Sequence, residues 1–474
     1  MSDGLAGGLS RRGFLSRTAL LAGGVALLGS TEGLLTAPNA GAAPGPGGPG
    51  VGPGYGPVVP DPAGRLALPQ GFRYTVVAEA GVTCLDSGEP SPTSSDGMGA
   101  FPARGNGTVL VQNHELRGAR AAAGPFVVPA PPEFTYDPQA PGGTTTITVD
   151  RDGRRRGEYV SLAGTSTNCA GGVTPWQTWL SCEETEDLAG VNGYTKDHGY
   201  VFEVDPEDRN ANRDPQPIKA LGRFAHEAVA VDPAGSTMYL TEDAATPNGL
   251  LYRWTPPRGF RGGKGALRRL GPADGAYEAM LCTDAAGTPI DDLSRATEVG
   301  TTYQVRWTAV PDRDARVVPT RLQLDPPQVT RARKLEGCWW GDGGAYVVAS
   351  FAREESPVPH DGQVWFHDPR RQTLTLTLRF GVNPNPDQDG ANDDGPDNIT
   401  VSPWGGVILA EDGEGVQHLV GATPGGQTYP IARNDLNTNE MAGPVYSRDK
   451  RILFANLYDP GICYAITGPW RNQR

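Results

Sequence analysis

Acidic residues recur at similar places in several repeated segments of this chain, and a cysteine stands among them. Six of these acidic residues lie near predicted strand ends: Glu115, Glu183, Glu227, Glu242, Glu336 and Glu411. Carboxylates that meet in one cleft repel one another, and they stay ionised together only where cations neutralise them. Oxygen-rich clusters suit hard ions such as Ca2+, whereas a thiolate among the oxygens suits a transition metal. The pattern therefore predicts a metal centre.

Cys169 is the thiol that the pattern places in this cleft. It occupies the strand-start register that Glu227, Glu336 and Asn398 hold in other repeats, so we expect its side chain to point at the cleft. Cys182 is the rival for this role and could equally belong to the core. For four of the six cysteines we expect disulfides, because an even number in an exported protein usually means pairing.

The elements that must position these side chains are short strands. Residues 224–243 and 396–412 share one order: a polar residue, a strand, a tight turn, a second strand and a Glu-Asp pair. The same order recurs four more times, in residues 168–184, 336–351, 440–457 and, more loosely, 96–115. Six such hairpins, each followed by further strands, predict an all-β, six-bladed β-propeller with loop insertions between blades. A pair of β-sandwiches is the alternative, but radial symmetry would bring the recurring carboxylates together on one axis.

The first 60 residues carry a targeting pattern. Arg11 and Arg12 form a twin-arginine motif, and a short apolar run and a small-residue cleavage site at residues 40–42 follow it. We interpret residues 1–42 as a Tat signal peptide, residues 43–60 as a Gly/Pro-rich linker and residues 61–474 as a single catalytic domain. An attached N-terminal anchor helix is the alternative. The Tat machinery exports folded proteins, so the expected location is secreted, periplasmic or at the cell surface.

Composition excludes some functions. The chain has 65 glycines and 44 prolines among 474 residues but keeps many apolar residues, which is typical of a turn-rich globular protein. Its formal net charge of −13 argues against binding to a nucleic-acid duplex. Outside the signal segment no 18-residue apolar stretch occurs, so no membrane span is expected in the mature protein.

Several motifs together resemble the PhoX-type alkaline phosphatases, over roughly residues 66–469. These motifs are the twin-arginine signal, QNHE at residues 112–115, NCAGG at residues 168–172, RFAHE at residues 223–227 and PDN at residues 396–398. The resemblance implies a metal-dependent phosphomonoesterase with a dinuclear Fe3+ centre, bridged by a cysteine and an oxide and surrounded by Ca2+. By this resemblance Cys169 is the bridging thiolate.

The resemblance also assigns roles to other residues. The iron or shared ligands would be Glu183 or Glu184, Glu227 and Glu336, and the calcium and supporting group would be Asn113, Glu115, Glu242, Asp397 and Glu411. The family has an arginine two residues before the glutamate matched by Glu336, where this chain has Lys334 preceded by Arg333. Lys334, Arg333 and Asn113 are therefore the expected catalytic residues. A lysine presents a point charge where a guanidinium would grip phosphate with two parallel hydrogen bonds.

The expected partners are small phosphate esters and the Tat export machinery, and we expect a monomer. Two other functions stay open at this stage. A six-bladed propeller with an axial calcium also supports a lactonase or esterase, and a third possibility is a binding propeller whose carboxylates hold structural calcium. The Cys169 motif argues against both, since neither function needs a thiolate.

Overall fold

Strands supply most of the regular structure because apolar and β-branched residues alternate in short runs between Gly, Pro, Asp and Asn. The computed structural model describes residues 53–352, 356–387 and 394–471. The predicted Tat signal, residues 1–42, and linker residues 43–52 lie outside the described residues. In chain order the strands are β1 (Val58–Val59), β2 (Leu66–Pro69), β3 (Arg73–Glu79), β4 (Ser95–Pro102), β5 (Thr108–His114), β6 (Gly142–Val149), β7 (Arg155–Thr165), β8 (Asn168–Val173), β9 (Trp179–Glu183), β10 (Val201–Val204), β11 (His226–Val231), β12 (Met238–Glu242), β13 (Gly249–Thr255), β14 (Ala276–Thr283), β15 (Pro289–Ile290), β16 (Thr302–Ala309), β17 (Arg331–Ala332), β18 (Leu335–Gly341), β19 (Gly344–Ser350), β20 (His360–Asp368), β21 (Thr373–Gly381), β22 (Pro396–Val401), β23 (Val407–Glu411), β24 (His418–Ala422), β25 (Thr428–Asn434), β26 (Met441–Tyr446), β27 (Ile452–Leu457) and β28 (Ile462–Thr467).

The helical segments of the described residues are single 3-10 turns. They lie at Arg104–Asn106, Arg120–Ala122, Pro132–Phe134, Val191–Gly193, Arg209–Asn212, Lys219–Leu221, Leu267–Arg269, Leu293–Arg295 and Thr320–Leu322. Within the described residues, no helix has the length and apolar composition that a membrane crossing requires.

The strands form antiparallel meanders that we call blades 1 to 6. Blades 1 to 5 are β4–β7, β8–β10, β11–β14, β18–β21 and β22–β25, and blade 6 is β26–β28 completed by β3. The first strand of each blade contacts the first strands of its two neighbours, in the ring β4, β8, β11, β18, β22, β26 and back to β4. The predicted all-β propeller is therefore confirmed, with six blades around one axis.

Both ends of the described chain close the ring. β3 pairs with β28 in blade 6, so a strand near the N-terminal end holds the C-terminal blade. β2 pairs with β25 of blade 5, and β1 pairs with β2. β1 falls inside the predicted linker, and nearby Tyr55 packs its ring against Phe72, so the last linker residues lie on the propeller.

Apolar side chains fill the spaces between blades. Trp179, Trp254 and Trp365 are fully buried, each against residues of its own and a neighbouring blade. All six cysteines are free, and five of them are buried. The predicted disulfides are therefore wrong: the buried cysteines belong to different strands and serve as small apolar core residues or, for Cys169, as a site residue.

Every innermost strand carries a β-bulge at the same place. In each blade three residues on the first strand span two on the second, as between Asn168 and Gly171 in β8 or His226 and Val229 in β11. A bulge leaves one residue outside the ladder and redirects its side chain. The first bulged residues of blades 1 to 6 are Asp96, Cys169, Glu227, Glu336, Asp397 and Gly443.

Candidate metal centre

Five of the six bulged residues carry metal-ligating side chains, and they meet at one end of the channel. Their ligand atoms fall into groups whose members all lie within 4.8 Å of one another. The four groups are Cys169, Glu184 and Glu227; Glu227, Glu336 and Asp397; Asp397, Asp412 and Glu440; and Asp96, Glu115 and Glu440. Because Glu227, Asp397 and Glu440 each belong to two groups, the four groups form one connected centre to which every blade contributes.

The centre holds more negative charge than a protein interior can leave uncompensated. Glu227, Glu336, Asp397 and Glu115 expose 1%, 1%, 6% and 2% of their surface. Two carboxylates 4.8 Å apart repel by roughly 3 kcal/mol even at an effective dielectric constant of about 20. Buried oxygens at this spacing are the donor set that divalent and trivalent cations require, so these residues fit bound metal ions.

Cys169 makes one of the four groups suitable for a softer ion. Its Sγ is 3.2 Å from the carbonyl oxygen of His226 and 3.6 Å from that of Glu227, in full burial. Burial, and after it the charges of Glu227 and Glu184, raise the pKa of the Cys169 thiol well above its usual range. A cation must displace this proton to gain a thiolate ligand, as transition metals do.

Strand alternation separates the acidic pairs at the ends of the second strands. Glu184 and Asp412 directly follow β9 and β23, and their carboxylates join the centre, as does that of Glu115 after β5. Successive side chains of a strand point to opposite sides. The neighbours Glu183 and Glu411 therefore turn into their own blades.

The glutamates that turn into blades 2, 3 and 5 accept hydrogen bonds from the third strand of the same blade or from the residues just before it. Glu183 accepts from the backbone N–H groups of Gly199 and Tyr200 at 2.9 and 3.1 Å and contacts His198 Nδ1 at 2.6 Å. Glu242 accepts from the N–H of Leu250 at 3.1 Å and from Tyr252 Oη at 2.8 Å. These two glutamates lie outside the four metal groups of the described residues.

Glu411 follows the same pattern in blade 5, also outside the four groups. It accepts from the backbone N–H groups of Asp394 and His418 at 3.1 and 2.8 Å. In blade 3, burial raises the pKa of Glu242 to about 7, although the Arg321 guanidinium opposes the shift. The sequence-predicted ligands Glu183, Glu242 and Glu411 are thus placed by the structure as hydrogen-bond acceptors that join strands within a blade.

Among the described residues, the cations Lys334 and Arg117 contact the centre. Lys334 Nζ lies 2.5 Å from Glu336 Oε1 and 2.9 Å from Asp243 Oδ2. Lys334 has a left-handed φ of 44°, at the position where Gly395 stands in blade 5 with a φ of 45°. Ser94 and Thr167 each have a φ of 53° at the equivalent positions of blades 1 and 2, so this backbone conformation belongs to the blade pattern. Arg117 donates to Glu115 and lies 3.8 Å from Glu184, so it links two of the metal groups at the rim.

The structure gives Asn113 a positioning role. Its amide donates to the carbonyl oxygens of Cys169 and Ala170 at 3.0 and 2.7 Å. Its oxygen accepts from Trp179 Nε1 and Ser181 Oγ, both at 2.9 Å. These four hydrogen bonds engage the whole amide and hold the bulge of β8, which sets where the Cys169 thiol lies. Arg333, the third predicted catalytic residue, is half-buried directly before Lys334.

Sequence reasoning missed Asp96, Asp412 and Glu440 as members of the centre. It also placed Asn398 in the register of Cys169, and the structure corrects this: Asp397 is the first bulged residue, and Asn398 Oδ1 accepts from the N–H of Gly443 at 2.6 Å. Alternation at the Glu-Asp pairs is the signal that could have identified Asp412. Glu440, which precedes its strand, left no such signal.

Comparisons with known proteins identify the family of the chain. The model of the family described as alkaline phosphatase PhoX matches residues 53–461. Among solved structures, Pseudomonas fluorescens PhoX in complex with vanadate, a transition state analogue, is similar with a TM-score of 0.61 and 18% identity, covering 85% of this chain and 96% of that chain. A gluconolactonase from Xanthomonas campestris matches at a TM-score of 0.39 and 13% identity, covering 88% and 99% of the two chains, which is too distant to carry an argument.

No curated protein sequence matches the chain. The family model nevertheless covers most of it, and the motifs that carry the resemblance lie at the centre: Cys169, Glu227 and Asp397 each come from one of them. The chain belongs to the PhoX alkaline phosphatase family.

Proposed function

We propose that this protein is an exported phosphomonoesterase that works with iron and calcium ions held by the four linked acidic groups. The observation that carries the proposal is the thiol of Cys169 within 4.8 Å of two carboxylates, at the end of a connected series of acidic residues, most of them buried. Membership of an alkaline phosphatase family supports the reaction. The combination of the Cys169 sulfur with carboxylate oxygens supports the presence of both iron and calcium.

The donors divide by chemistry. The group of Cys169, Glu184 and Glu227 supplies a sulfur and carboxylate oxygens, which suit iron. The group of Asp96, Glu115 and Glu440 supplies oxygens alone, as does the group of Asp397, Asp412 and Glu440, and these suit Ca2+. Glu336 lies between the two kinds of group, in the set that Glu227 and Asp397 share.

Bound ions would neutralise the phosphoryl oxygens and activate the attacking water, which is the main requirement of phosphate-ester hydrolysis. The chain's own groups bind and orient the ester. Lys334 and Arg117 stand at the centre with N–H donors, and we assign to them, with Arg333, the contacts to the phosphoryl group. The burial of the carboxylates excludes bulk water, which strengthens these charged contacts.

The N-terminal residues support export of the protein. Residues 1–42 would direct the folded protein to the Tat machinery, and residues 43–60 would connect them to a monomeric propeller. Loading of the metal centre before export would explain why a pathway for folded proteins is used. The product, inorganic phosphate, would be released outside the cytoplasm.

The test is hydrolysis of p-nitrophenyl phosphate by the purified protein, with the metal content measured on the same sample. We expect turnover that EGTA removes and added Ca2+ restores, together with bound iron. Arg306→Gln, at an exposed position of β16 and outside the four metal groups, is the control variant and should keep full activity. Iron-loaded and calcium-replete protein without turnover would contradict the proposed function.

A further inference from the structure

A second cleft lies at the opposite end of the propeller from the metal centre. Each first strand begins at the centre, and the turn to its second strand lies at the far end, as for residues 447–451 between β26 and β27. That turn lies among three cavities of about 870, 430 and 430 Å3. We call the largest of them the basic cleft.

The basic cleft gathers cations from separate parts of the chain. Its lining includes Arg73, Arg151, Arg154, Lys450 and Arg451. Within the described residues, Asp152 is the carboxylate in ion-pair range of any of them, 3.8 Å from Arg151. The lining also includes Asp449, whose Oδ1 accepts from Ser447 Oγ at 2.7 Å within its own turn. The cleft is therefore positive on a chain whose formal net charge is −13.

Two tryptophans line the same cleft. Trp470 donates to the carbonyl oxygen of Arg451 at 2.9 Å and packs edge-on against Phe72 and Tyr446, so its ring is fixed. Trp404 is half-buried, and its Nε1 is buried with no acceptor among the described residues. The cleft thus combines cations with the aromatic side chains of Trp404 and Trp470.

We propose that the basic cleft binds a single-stranded polynucleotide. Cations that follow a phosphodiester backbone, together with aromatic rings on which bases stack, are the elements of single-strand binding. An anionic membrane surface would need a protruding face where this structure has a concave one. The neighbouring cavities around residues 447–451 extend the surface so that a chain can continue past the cleft. Because the site is separate from the metal centre, it does not depend on the proposed function.

The experiment is fluorescence anisotropy of labelled oligothymidylate about 12 nucleotides long, without terminal phosphates, on the purified metal-loaded protein. Such a length lies within the ~4–16 nucleotides that single-strand sites cover. We expect log Kd to change with log salt at a slope of about 2–4 in magnitude, from three to five phosphate contacts at about 0.7 each. Inorganic phosphate at matched ionic strength, which would compete at the metal centre, should leave the binding unchanged.

Variants separate charge from stacking. Arg73→Gln and Arg451→Gln should each weaken binding several-fold and reduce the slope by about 0.7, while Arg306→Gln should leave both unchanged. Trp404→Ala should weaken binding about tenfold, and Trp404→Phe, which keeps a ring, should retain most of it. All five variants should hydrolyse p-nitrophenyl phosphate as the parent protein does. Equal affinity for polyphosphate of the same charge, a preference for anionic vesicles, or binding unchanged in Arg73→Gln and Arg451→Gln would overturn the proposal.

Discussion

Glu183 and Glu184 are neighbours in sequence, yet their carboxylates serve different parts of the molecule. Glu183 accepts hydrogen bonds from the backbone of its own blade and contacts His198 at 2.6 Å. Glu184 lies with Cys169 and Glu227 in a group whose ligand atoms are within 4.8 Å of one another. The separation follows from strand alternation at the end of β9. It divides a carboxylate that accepts hydrogen bonds within its blade from one that belongs to the candidate metal centre.

The first prediction uses this pair. Glu184→Gln should remove most of the activity and lower the metal content, while the free energy of unfolding stays close to that of the parent. Glu183→Gln should lower the free energy of unfolding by about 3 kcal/mol, because His198 loses its charged partner in a buried pair. Chemical denaturation and metal analysis of both variants check this. Equal metal loss in the two variants, with equal stability, would contradict the assignment.

Cys169→Ala tests the thiol. Iron binding should disappear and turnover should fall at least 100-fold, whereas the small change in volume should leave the propeller folded. Cys338→Ala is a matched control, since Cys338 is also fully buried but lies in the core of blade 4 outside the four metal groups. Normal iron content in Cys169→Ala would contradict the assignment of Cys169 as an iron ligand.

Lys334 should govern how tightly the ester binds. Lys334→Met is expected to reduce kcat/KM for p-nitrophenyl phosphate about 10–100-fold, the value of a lost charge-assisted hydrogen bond. Lys334→Arg should keep much of the activity because it keeps the charge. Both variants need a metal assay, since Lys334 also contacts Glu336. A Lys334→Met enzyme with unaltered kcat/KM would show that the phosphoryl group binds elsewhere.

His198 predicts a pH dependence of stability. Burial opposes protonation of this residue, but the nearby Glu183 and Asp137 outweigh burial and raise the pKa of His198 above its usual 6.5. Because the pKa of His198 is higher in the native state than in the unfolded state, its contribution to stability is fully present below pH 6.5. This contribution is lost as the pH rises through the native-state pKa of His198. The free energy of unfolding should therefore fall on going from neutral to alkaline pH. In His198→Gln that slope should be reduced; an unchanged slope would exclude His198 as its source.

Asp61 lies between β1 and β2 and accepts a hydrogen bond from Tyr74 of β3, one of the strands that close the ring. Burial opposes its ionisation, but hydrogen bonds from Tyr74 and the backbone N–H groups of Ala63, Leu66 and Arg65 lower the pKa of Asp61 to about 2. Asp61→Ala should lower the free energy of unfolding by about 2 kcal/mol at neutral pH. Because the pKa of Asp61 is lowered, its contribution to stability is fully present above pH 3.8 and is lost as the pH falls through about 2. The difference in the free energy of unfolding between Asp61→Ala and the parent protein should therefore shrink in strong acid. Equal free energies of unfolding for Asp61→Ala and the parent protein at pH 7 would contradict this stabilising role of Asp61.

Much of the fold and part of the centre could be read from the sequence. Strand alternation and turn residues are local signals, so the repeated hairpins predicted a propeller, and their shared register predicted that Glu227, Glu336 and Cys169 would meet. The motifs identified the family that the comparisons then showed. These inferences needed only the order of residues along each hairpin.

Tertiary structure decided what depends on register and on distance. A one-residue bulge sets which of two neighbouring residues stands at the first bulged position, and in blade 5 this is Asp397 and not Asn398. Glu440 joins because the ring brings blade 6 against blade 1. The basic cleft gathers Arg73, Arg154 and Arg451 from distant parts of an acidic chain, so the amino-acid composition gave no indication of it. In each case the physical reason is the same: side-chain direction and through-space proximity are set by strand pairing between distant segments, and a linear sequence does not carry them.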